Sequence, residues 1–353
     1  MKKKICVLFG GESTEYEVSL RSAYSVICNL DKTLYDIIAV GITKDGKWRL
    51  YDGDYADIPT DKWFSDNLAT VNLDHGNKES ALIVSKDGKY TKLPFDVAFP
   101  VLHGRNGEDG TVQGLFYLAG VKYVGVGLLA SAVGMDKTFS KIVFADAGIN
   151  QADWVVIQKH ELNMLDSKIA LAEEKFGYPM FIKPANAGSS VGIGKAKNKD
   201  ELIAAVNEAF KFDRKILVEE FLTGHEVECA VLGGRGETLA SCVGEIEAGE
   251  EFYTYDAKYS QTSESKLYIP AKLDEKYANE VRKNAIRAFE AIDGKGLSRV
   301  DFFVDEAKDK VCINEINTMP GFTSISMYPK LFEASGIGYG ELLTKLIEIA
   351  QIN

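Results

Sequence analysis

Two apolar, β-prone runs near the C-terminus, Leu297–Val304 and Val311–Ile316, are separated only by a polar segment at residues 305–310. Two such runs with a short polar connection predict a β-hairpin. A hairpin is a strong constraint because its register decides which side chains lie together, since side chains alternate between the two faces of a strand.

The predicted hairpin collects oxygen ligands. Pairing about a turn centred near Ala307 brings Asp301 opposite Asn314 and Glu315, and Asn317 shares a face with Glu315. Two carboxylates and an amide oxygen, with no Cys or His among them, suit a hard cation. Mg²⁺ is usually held by one or two carboxylates together with nucleotide phosphates. The alternative is a hairpin with a solvated polar face, and this segment alone favours neither.

The composition is that of a multidomain globular protein. At 353 residues the chain is too long for one ordinary core, so we expect two or three domains. Its hydrophobic content of 46% and charged content of 26% are typical of soluble proteins. The net charge of −11 argues against general nucleic-acid binding and against attraction to anionic membranes. No segment is long and apolar enough to insert into a bilayer.

The cysteines and histidines form no ligand pattern. The five cysteines are scattered without a CxxC pair, and the four histidines have no metal-ligand spacing. We therefore expect neither a zinc site nor a disulfide framework, and reduced thiols favour a cytoplasmic protein. The basic start, Met1–Lys4, precedes an apolar run, Ile5–Phe9, that is too short for a signal peptide and is typical of a buried strand.

The order of strands and helices suggests three domains, at residues 1–133, 134–222 and 223–353. Strands alternate with helices in the first third, which predicts an α/β unit with a largely parallel sheet and a polar insertion at Tyr51–Lys92. Residues 131–147 are expected to form one helix. The rest mixes strands and helices without βαβ order, which indicates α+β architecture.

Two segments in the middle of the chain have the chemistry of nucleotide binding. Lys183 ends an apolar strand and precedes a glycine-rich loop, residues 184–194, whose backbone can approach phosphate oxygens closely. The apolar strand Ile216–Leu222 contains Glu219 and Glu220, which need partners such as adenine, ribose or backbone amides if they are buried. A plain glycine-rich hairpin and an edge strand with solvated glutamates are the alternatives.

Three turns of the first domain carry further candidates. Glu15 follows the first strand and its glycine turn, where a carboxylate can bind a cationic ligand group. His103 lies in a polar loop after the carboxyl end of a strand, where ligands collect in open α/β sheets. The segment Gly125–Ala130 imitates a dinucleotide fingerprint but comes late in the sheet. It indicates an alternative function, a nucleotide-linked oxidoreductase.

Together these segments resemble the ATP-grasp superfamily and, within it, the D-alanine–D-alanine ligase family with the related D-Ala–D-Ser and D-Ala–D-lactate ligases of vancomycin resistance. The resemblance covers nearly the whole chain and implies an N-terminal parallel-sheet α/β domain followed by central and C-terminal α+β domains that sandwich ATP. It rests on seven blocks in the family's order, which are Gly10–Ser19, Leu102–Gly110, Met135–Lys137, Lys183–Gly192, Tyr255–Tyr259, Arg299–Asp301 and Asn314–Ser324.

The resemblance implies ligation of two D-alanines for peptidoglycan synthesis. ATP phosphorylates the carboxylate of the first D-alanine, the amine of the second attacks, and the tetrahedral intermediate releases phosphate. The residues implied to bind ATP are Lys137, Lys183, Glu219, Glu220, Phe221, Leu222, Glu226 and Lys258. Two Mg²⁺ ions, with Mn²⁺ as a substitute, are implied at Asp301, Glu315 and Asn317.

The same resemblance assigns residues around the two amino acids. It implies that Glu15 holds the ammonium group of the first substrate, and that His103 positions this substrate and takes a proton from the second amine. The remaining assignments are Ser189 and Tyr259 as links from Glu15 to a lid at Glu247–Lys266, Arg299 and the Gly321 amide as oxyanion donors, and Ser326 with the Met327 amide as the site of the second carboxylate.

Two positions bear on the second substrate. Tyr259 stands where lactate-accepting ligases of the family have Phe, and Met327 stands where D-serine ligases tend to have Arg, so D-alanine is the expected acceptor. The segments Gly11–Ser19 and Gly41–Thr43 are nevertheless similar to the D-Ala–D-Ser type, which remains an alternative. The family is commonly homodimeric, and a non-catalytic ATP-binding regulator is a further alternative function.

Overall fold

Three sheets organise the protein, which is described here by a computed structural model covering residues 1–75, 79–188, 192–234, 237–247 and 266–352. No helix within these ranges is long and apolar enough to cross a membrane. The α-helices in the same ranges are Tyr16–Asn29, Thr111–Leu118, Leu128–Met135, Lys137–Asp146, Leu165–Lys175, Lys199–Ala209, Glu275–Ala291, Met327–Ala334 and Tyr339–Ile352.

The first sheet has a parallel centre and an antiparallel extension. Its order is β6-β5-β4-β3-β2-β1-β7, and β1 runs parallel to both of its neighbours, β2 and β7, as the sequence predicted. The polar insertion supplies antiparallel strands, because short turns such as the one from β2 to β3 can only join antiparallel neighbours. The strands are β1 Lys3–Gly10, β2 Tyr35–Ile42, β3 Trp48–Tyr51, β4 Thr70–Leu73, β5 Ala81–Lys86, β6 Lys89–Pro94 and β7 Val97–Pro100.

Strand β1 is buried on both faces of this sheet. Ile5, Val7 and Phe9 belong to one apolar core, whereas the alternate residues Cys6 and Leu8 belong to another. This alternation is the period of two that a strand imposes on its side chains. The apolar run at the start of the chain is therefore the central strand of the first sheet.

The end of the chain completes one of these two cores. The helices Met327–Ala334 and Tyr339–Ile352 contribute to the same apolar cluster as the helix Tyr16–Asn29 and strand β1. Phe322, fully buried, packs edge-to-face against Phe99 of β7, with 5.8 Å between ring centroids. The first and last parts of the chain thus share one hydrophobic core.

The second sheet is antiparallel, with the order β10-β9-β11-β8. The helices Leu165–Lys175 and Lys199–Ala209 share an apolar core with it, which includes Ile169 and Leu202. Its strands are β8 Trp154–Gln158, β9 Met180–Pro184, β10 Gly194–Ala196 and β11 Lys215–Glu220.

The third sheet contains the predicted hairpin as β15 and β16. Helix Glu275–Ala291 shares a core with Val300 and Phe302 of β15. Arg299 and Asp301 alternate with these two residues and therefore project from the opposite face. The sheet order is β14-β13-β12-β15-β16, and its strands are β12 His225–Gly234, β13 Glu237–Glu247, β14 Lys266–Tyr268, β15 Gly296–Asp305 and β16 Lys310–Asn317.

The single helix expected at residues 131–147 is wrong, because the structure has two helices, Leu128–Met135 and Lys137–Asp146. Asp136 between them has an extended backbone, with φ −86° and ψ 100°, and its carboxylate accepts a hydrogen bond from the Thr138 amide at 3.0 Å. Aspartate is favoured at such an N-cap because it satisfies amides that lack a partner in the first helical turn.

Asp136→Ala is expected to destabilise the helix Lys137–Asp146 by about 1–2 kcal/mol, because it removes the N-cap. It also removes the ion pair between Asp136 and Lys215. Hydrogen exchange of a peptide covering this helix should become about tenfold faster. Asp136→Asn keeps a capping oxygen and should show a smaller effect. Equal exchange rates in wild type and Asp136→Ala would contradict the capping role.

Candidate active site

Three carboxylates lie side by side across the third sheet. Glu228 of β12 is opposite Asp301 of β15, and Asp301 is opposite Glu315 of β16. The pairing of Asp301 with Glu315 confirms the hairpin register predicted from the sequence. Glu228 was not predicted from the sequence. The signal that could have found it is an acidic residue within a strand whose neighbouring residues are buried.

Arg299 is held by two of these acids. Its Nε and one terminal nitrogen donate to the two oxygens of Asp301 at 2.8 and 2.7 Å, and Nε lies 3.1 Å from Glu228 Oε2. Burial by itself lowers the pKa of Arg299, but the two carboxylates outweigh it and raise the pKa well above its ordinary value. The guanidinium therefore stays charged at a fixed position.

Lys137 and Lys183, the two described lysines assigned to ATP phosphates, both contact the hairpin. Lys137 Nζ donates to the Ala187 carbonyl at 3.0 Å and lies 3.4 Å from Glu315 Oε2. Lys183 Nζ donates to Asn314 Oδ1 at 2.8 Å. The structure thus brings lysines from the middle of the chain to the acids and amides near its end.

Glu219 lies between two buried lysines. Its Oε2 is 2.7 Å from Lys183 Nζ and its Oε1 is 3.0 Å from Lys141 Nζ. Burial by itself raises the pKa of Glu219, but Lys183 and Lys141 outweigh it and lower the pKa to about 2. Lys141 was not predicted from the sequence, because its partner is 78 positions away and the helix itself carries no motif for it.

The other residues assigned to adenine and ribose follow Glu219 along the chain. Glu220 Oε2 accepts a hydrogen bond from the Asp153 amide at 3.4 Å, and Lys195 Nζ lies 4.1 Å from the centroid of the Phe221 ring. Leu222 and Glu226 are partly buried, in the connection to β12 and in β12 itself. Their contact with a nucleotide stays a prediction.

Glu15 follows β1 and lies at the edge of the first sheet that is formed by the carboxyl ends of its parallel strands. It is buried, and its Oε2 is so near to two glycines that a Cβ at Gly104 or Gly188 would come within 2.5 or 3.0 Å of it. Gly104 also has a positive φ of 67°, which favours glycine. The two glycines therefore allow the loops on both sides to close onto the Glu15 carboxylate.

His103 is buried beside Glu15. Its Nδ1 lies 2.9 Å from the Met319 carbonyl, and its Nε2 lies 3.1 Å from Ser22 Oγ. Burial by itself lowers the pKa of His103, but Glu108, 3.8 Å away, and Glu15 outweigh it and raise the pKa. The histidine is thus fixed at both nitrogens and biased toward its protonated form.

Gly321 and Ser326 bracket a tight turn before the helix Met327–Ala334. Ser326 Oγ accepts a hydrogen bond from the Thr323 amide at 3.0 Å, and a Cβ at Gly321 would lie 2.7 Å from the same Oγ. No side chain caps this helix. The first amides of the helix, including that of Met327, are therefore available to an anion.

One cleft unites most of the described candidates. Its lining comes from all three parts of the chain, and Glu228 and Glu108, which were not predicted, also belong to it. Ser189, Lys258 and Tyr259 lie outside the described residues, as does most of the predicted lid. The predicted residues that line the cleft are Glu15, His103, Lys137, Arg299, Glu315, Asn317, Gly321, Ser326 and Met327.

The segment Gly125–Ala130 does not line the cleft. The Val126 carbonyl accepts a hydrogen bond from the Lys295 amide at 3.2 Å, and a Cβ at Gly296 would come within 2.9 Å of the Gly125 carbonyl. The segment thus packs against the start of β15. This packing argues against the dinucleotide alternative, because the backbone of Gly125 and Val126 is covered by protein.

Glu108→Gln is expected to lower the pKa of His103, because it removes the charge that opposes the effect of burial. The raised pKa stabilises the fold fully below the ordinary histidine pKa of about 6.5, and this contribution is lost as the pH rises through the folded-state pKa. The variant should lose this pH-dependent part of the unfolding free energy. NMR titration of His103 measures the shift, and an unchanged titration would contradict the assignment to Glu108.

Comparison with known proteins matches nearly the whole chain to one family. Family models described as D-ala D-ala ligase N-terminus and D-ala D-ala ligase C-terminus match residues 4–126 and 143–348. The D-alanine–D-alanine ligase of Acetivibrio thermocellus is 51% identical, over 99% of this chain and 96% of its own length.

Two solved structures extend the comparison. The VanG D-Ala:D-Ser ligase from Enterococcus faecalis has a TM-score of 0.89 and 40% identity, covering 99% of this chain and 100% of its own. The D-alanine–D-alanine ligase from Bacillus anthracis complexed with ATP has a TM-score of 0.71 and 27% identity, covering 99% and 97%. With both family models matched along its length, the chain belongs to the D-alanine–D-alanine ligase family.

Proposed function

We propose that this protein is an ATP-dependent ligase that joins two D-alanines to D-alanyl-D-alanine for peptidoglycan precursors. The observation that carries the proposal is a single cleft lined by Glu15, Arg299 and Glu315. These residues offer an anchor for an ammonium group, a donor to an oxyanion and a carboxylate for a cation. Family membership supports the same reaction, because a relative at 51% identity carries that name.

In the first step, the carboxylate of one D-alanine attacks the γ-phosphorus of ATP, and ADP leaves. Phosphoryl transfer depends mainly on positioning and charge neutralisation. Lys137 and Lys183 are proposed to bind the ATP phosphates, and Glu15 is proposed to hold the ammonium group of the amino acid. Lys258 completes the proposed set from a segment outside the described residues.

The chemistry of the hairpin fits a magnesium site. Asp301, Glu315 and Asn317 carry oxygen ligands on neighbouring strands, and both Asp301 oxygens also accept hydrogen bonds from Arg299. No group of three or more His, Cys, Asp or Glu side chains converges in the described chain, and this includes the hairpin, so further ligands would come from phosphates. When bound, Mg²⁺ or Mn²⁺ neutralises phosphate charge. Two ions at these three residues remain part of the proposal.

In the second step, the amine of the second D-alanine attacks the acyl phosphate carbonyl, and phosphate leaves from the tetrahedral intermediate. Arg299 and the Gly321 amide are proposed to stabilise its oxyanion, a role worth about 3–4 kcal/mol per donor in other enzymes. His103 is proposed to position the first D-alanine and, when its ring is neutral, to accept a proton from the attacking amine. Ser326 and the Met327 amide are proposed to bind the second carboxylate at the helix N-terminus.

D-alanine is the proposed second substrate. Met327 is buried and lines the cleft, and its Cε would lie 2.4 Å from a Cβ at Gly244. An apolar side chain packed this tightly offers no hydrogen bond to a serine hydroxyl. Tyr259 and Ser189, which lie outside the described residues, stay proposed as links between Glu15 and the lid. A D-Ala–D-Ser ligase is the second candidate, because VanG, a D-Ala:D-Ser ligase, is a structural relative.

A homodimer in the cytoplasm is part of the proposal. Four large apolar side chains of neighbouring helices are exposed in the single chain, and they are Tyr117, Leu118, Leu128 and Leu129. Exposed apolar patches of this kind are typical of protein interfaces. The domain limits at residues 133 and 222 likewise remain proposals.

The purified protein is expected to release ADP from ATP when D-alanine and Mg²⁺ are supplied, and to form D-alanyl-D-alanine. A coupled ADP assay with product mass measurement tests this. When D-serine or D-lactate competes with D-alanine, the amount of D-Ala–D-Ser or D-Ala–D-lactate formed should be smaller than the amount of D-alanyl-D-alanine. No ADP release with D-alanine would favour the alternative function, a non-catalytic ATP-binding regulator. A preference for D-serine would overturn the assignment of D-alanine as the second substrate.

Glu315→Gln is expected to lower the ligation rate at least about a hundredfold, because several kcal/mol of charge stabilisation depend on the metal ligands. Its fold should be retained, since the Glu315 side chain is 30% exposed and not in the core. The matched control Glu333→Gln, on the exposed side of a helix, should keep full activity. Near-normal turnover of Glu315→Gln with a native circular dichroism spectrum would refute the metal assignment.

A further inference from the structure

Lys141 is a buried cation that does not line the cleft. It lies on the helix Lys137–Asp146, one turn after Lys137. Its Nζ is 3.0 Å from Glu219 Oε1, donates to the Ala152 carbonyl at 3.2 Å and lies 5.2 Å from the centroid of the Trp154 ring. A lysine is seldom buried this deeply without a specific partner, and here the partner is Glu219.

Glu219 divides its two oxygens between two lysines. Oε1 contacts Lys141 and Oε2 contacts Lys183, and the side chains of all three residues are less than 10% exposed. The single carboxylate of Glu219 therefore pairs with two ammonium groups. Lys183 Nζ also donates to a neutral oxygen, Asn314 Oδ1, at 2.8 Å, which holds the ammonium group toward the hairpin without cancelling its charge.

We propose that Lys141 is a positioning residue for nucleotide binding, acting through Glu219. By holding one carboxylate oxygen, it prevents Glu219 from fully neutralising Lys183, so the charge of Lys183 stays available to the nucleotide phosphates. This inference rests on the proposed function, because it assumes that Lys183 binds a nucleotide.

Removal of Lys141 would change the balance of charge. Glu219 and Lys183 would become an isolated ion pair of one carboxylate and one ammonium group. The attraction between two charges is stronger in a buried environment than in water, so Lys183 would leave Glu219 less readily for another anion. A phosphate would then compete with Glu219 for Lys183. A merely structural lysine, in contrast, would change stability without a selective effect on nucleotide affinity.

The test measures binding of ADP with Mg²⁺ by calorimetry to the full chain and its variants. Lys141→Met should bind ADP about tenfold or more weakly, in the range of lost charge pairs. Its KM for D-alanine should change by less than about twofold. Lys141→Arg, which keeps the charge, should stay nearer to wild type than Lys141→Met.

A matched control comes from Lys168, which also contacts one carboxylate, Glu161 at 3.4 Å, and one carbonyl, that of Val156 at 3.2 Å. Lys168 does not line the cleft. Lys168→Met should bind ADP as wild type does. A similar loss of ADP affinity in both variants would show that removal of any lysine paired with a carboxylate in this part of the chain suffices, and would overturn the proposal.

A second comparison isolates the role of Glu219, and a native circular dichroism spectrum of each variant shows that it is folded. In the Glu219→Gln background, Lys141 has no carboxylate to hold, so adding Lys141→Met should change ADP affinity by less than about twofold. A loss as large as in the wild-type background would overturn the proposal. Failure of wild type itself to bind ADP would instead refute the proposed function.

Discussion

Pairing of buried charges is the interaction on which the centre of this protein depends. A charge buried without a partner costs several kcal/mol, so acids and bases in the cleft have to be placed together. Arg299 is shared by Glu228 and Asp301, and Glu219 is shared by two lysines. The charged groups are therefore fixed by the protein before any ligand arrives. A nucleotide and its cations are proposed to enter this arrangement by exchange of partners.

The position of the cleft follows from how the two ends of the chain pack. The parallel strands of the first sheet place Glu15 and His103 at their carboxyl edge, and the last turn before the C-terminal helices lies against them. The Met319 carbonyl contacts His103, and the Phe322 amide donates to Ser22 Oγ at 3.2 Å. The carboxylate that is proposed to anchor an amino acid thus meets the charged face of the third sheet.

Local sequence patterns predicted the strands and most of the helices, whereas contacts between residues distant in the sequence were not predicted. The strand period of two and the short turn placed Asp301 opposite Asn314 and Glu315, and a register shift between Asp301 and Phe302, which they do not determine, makes Glu315 the partner. The buried roles of Lys141 and Glu228 were not predictable, because each depends on a partner from a distant element. Asp136 is a local signal for the start of a helix, but the helical pattern on both sides of it led to the prediction of one continuous helix. The roles proposed for Lys258 and Tyr259 rest on the family resemblance alone.

The shared core of the chain's two ends has a consequence for biosynthesis. Residues such as Leu342 and Leu346, near the end of the sequence, pack in the same cluster as Val7 and Phe9 of the first strand. A ribosome adds residues from the N-terminus, so the first sheet emerges long before the helices that cover one of its faces. The part of that face which the helix Tyr16–Asn29 does not cover stays exposed to water until the two later helices have been synthesised, and it is an apolar surface of the kind that chaperones bind.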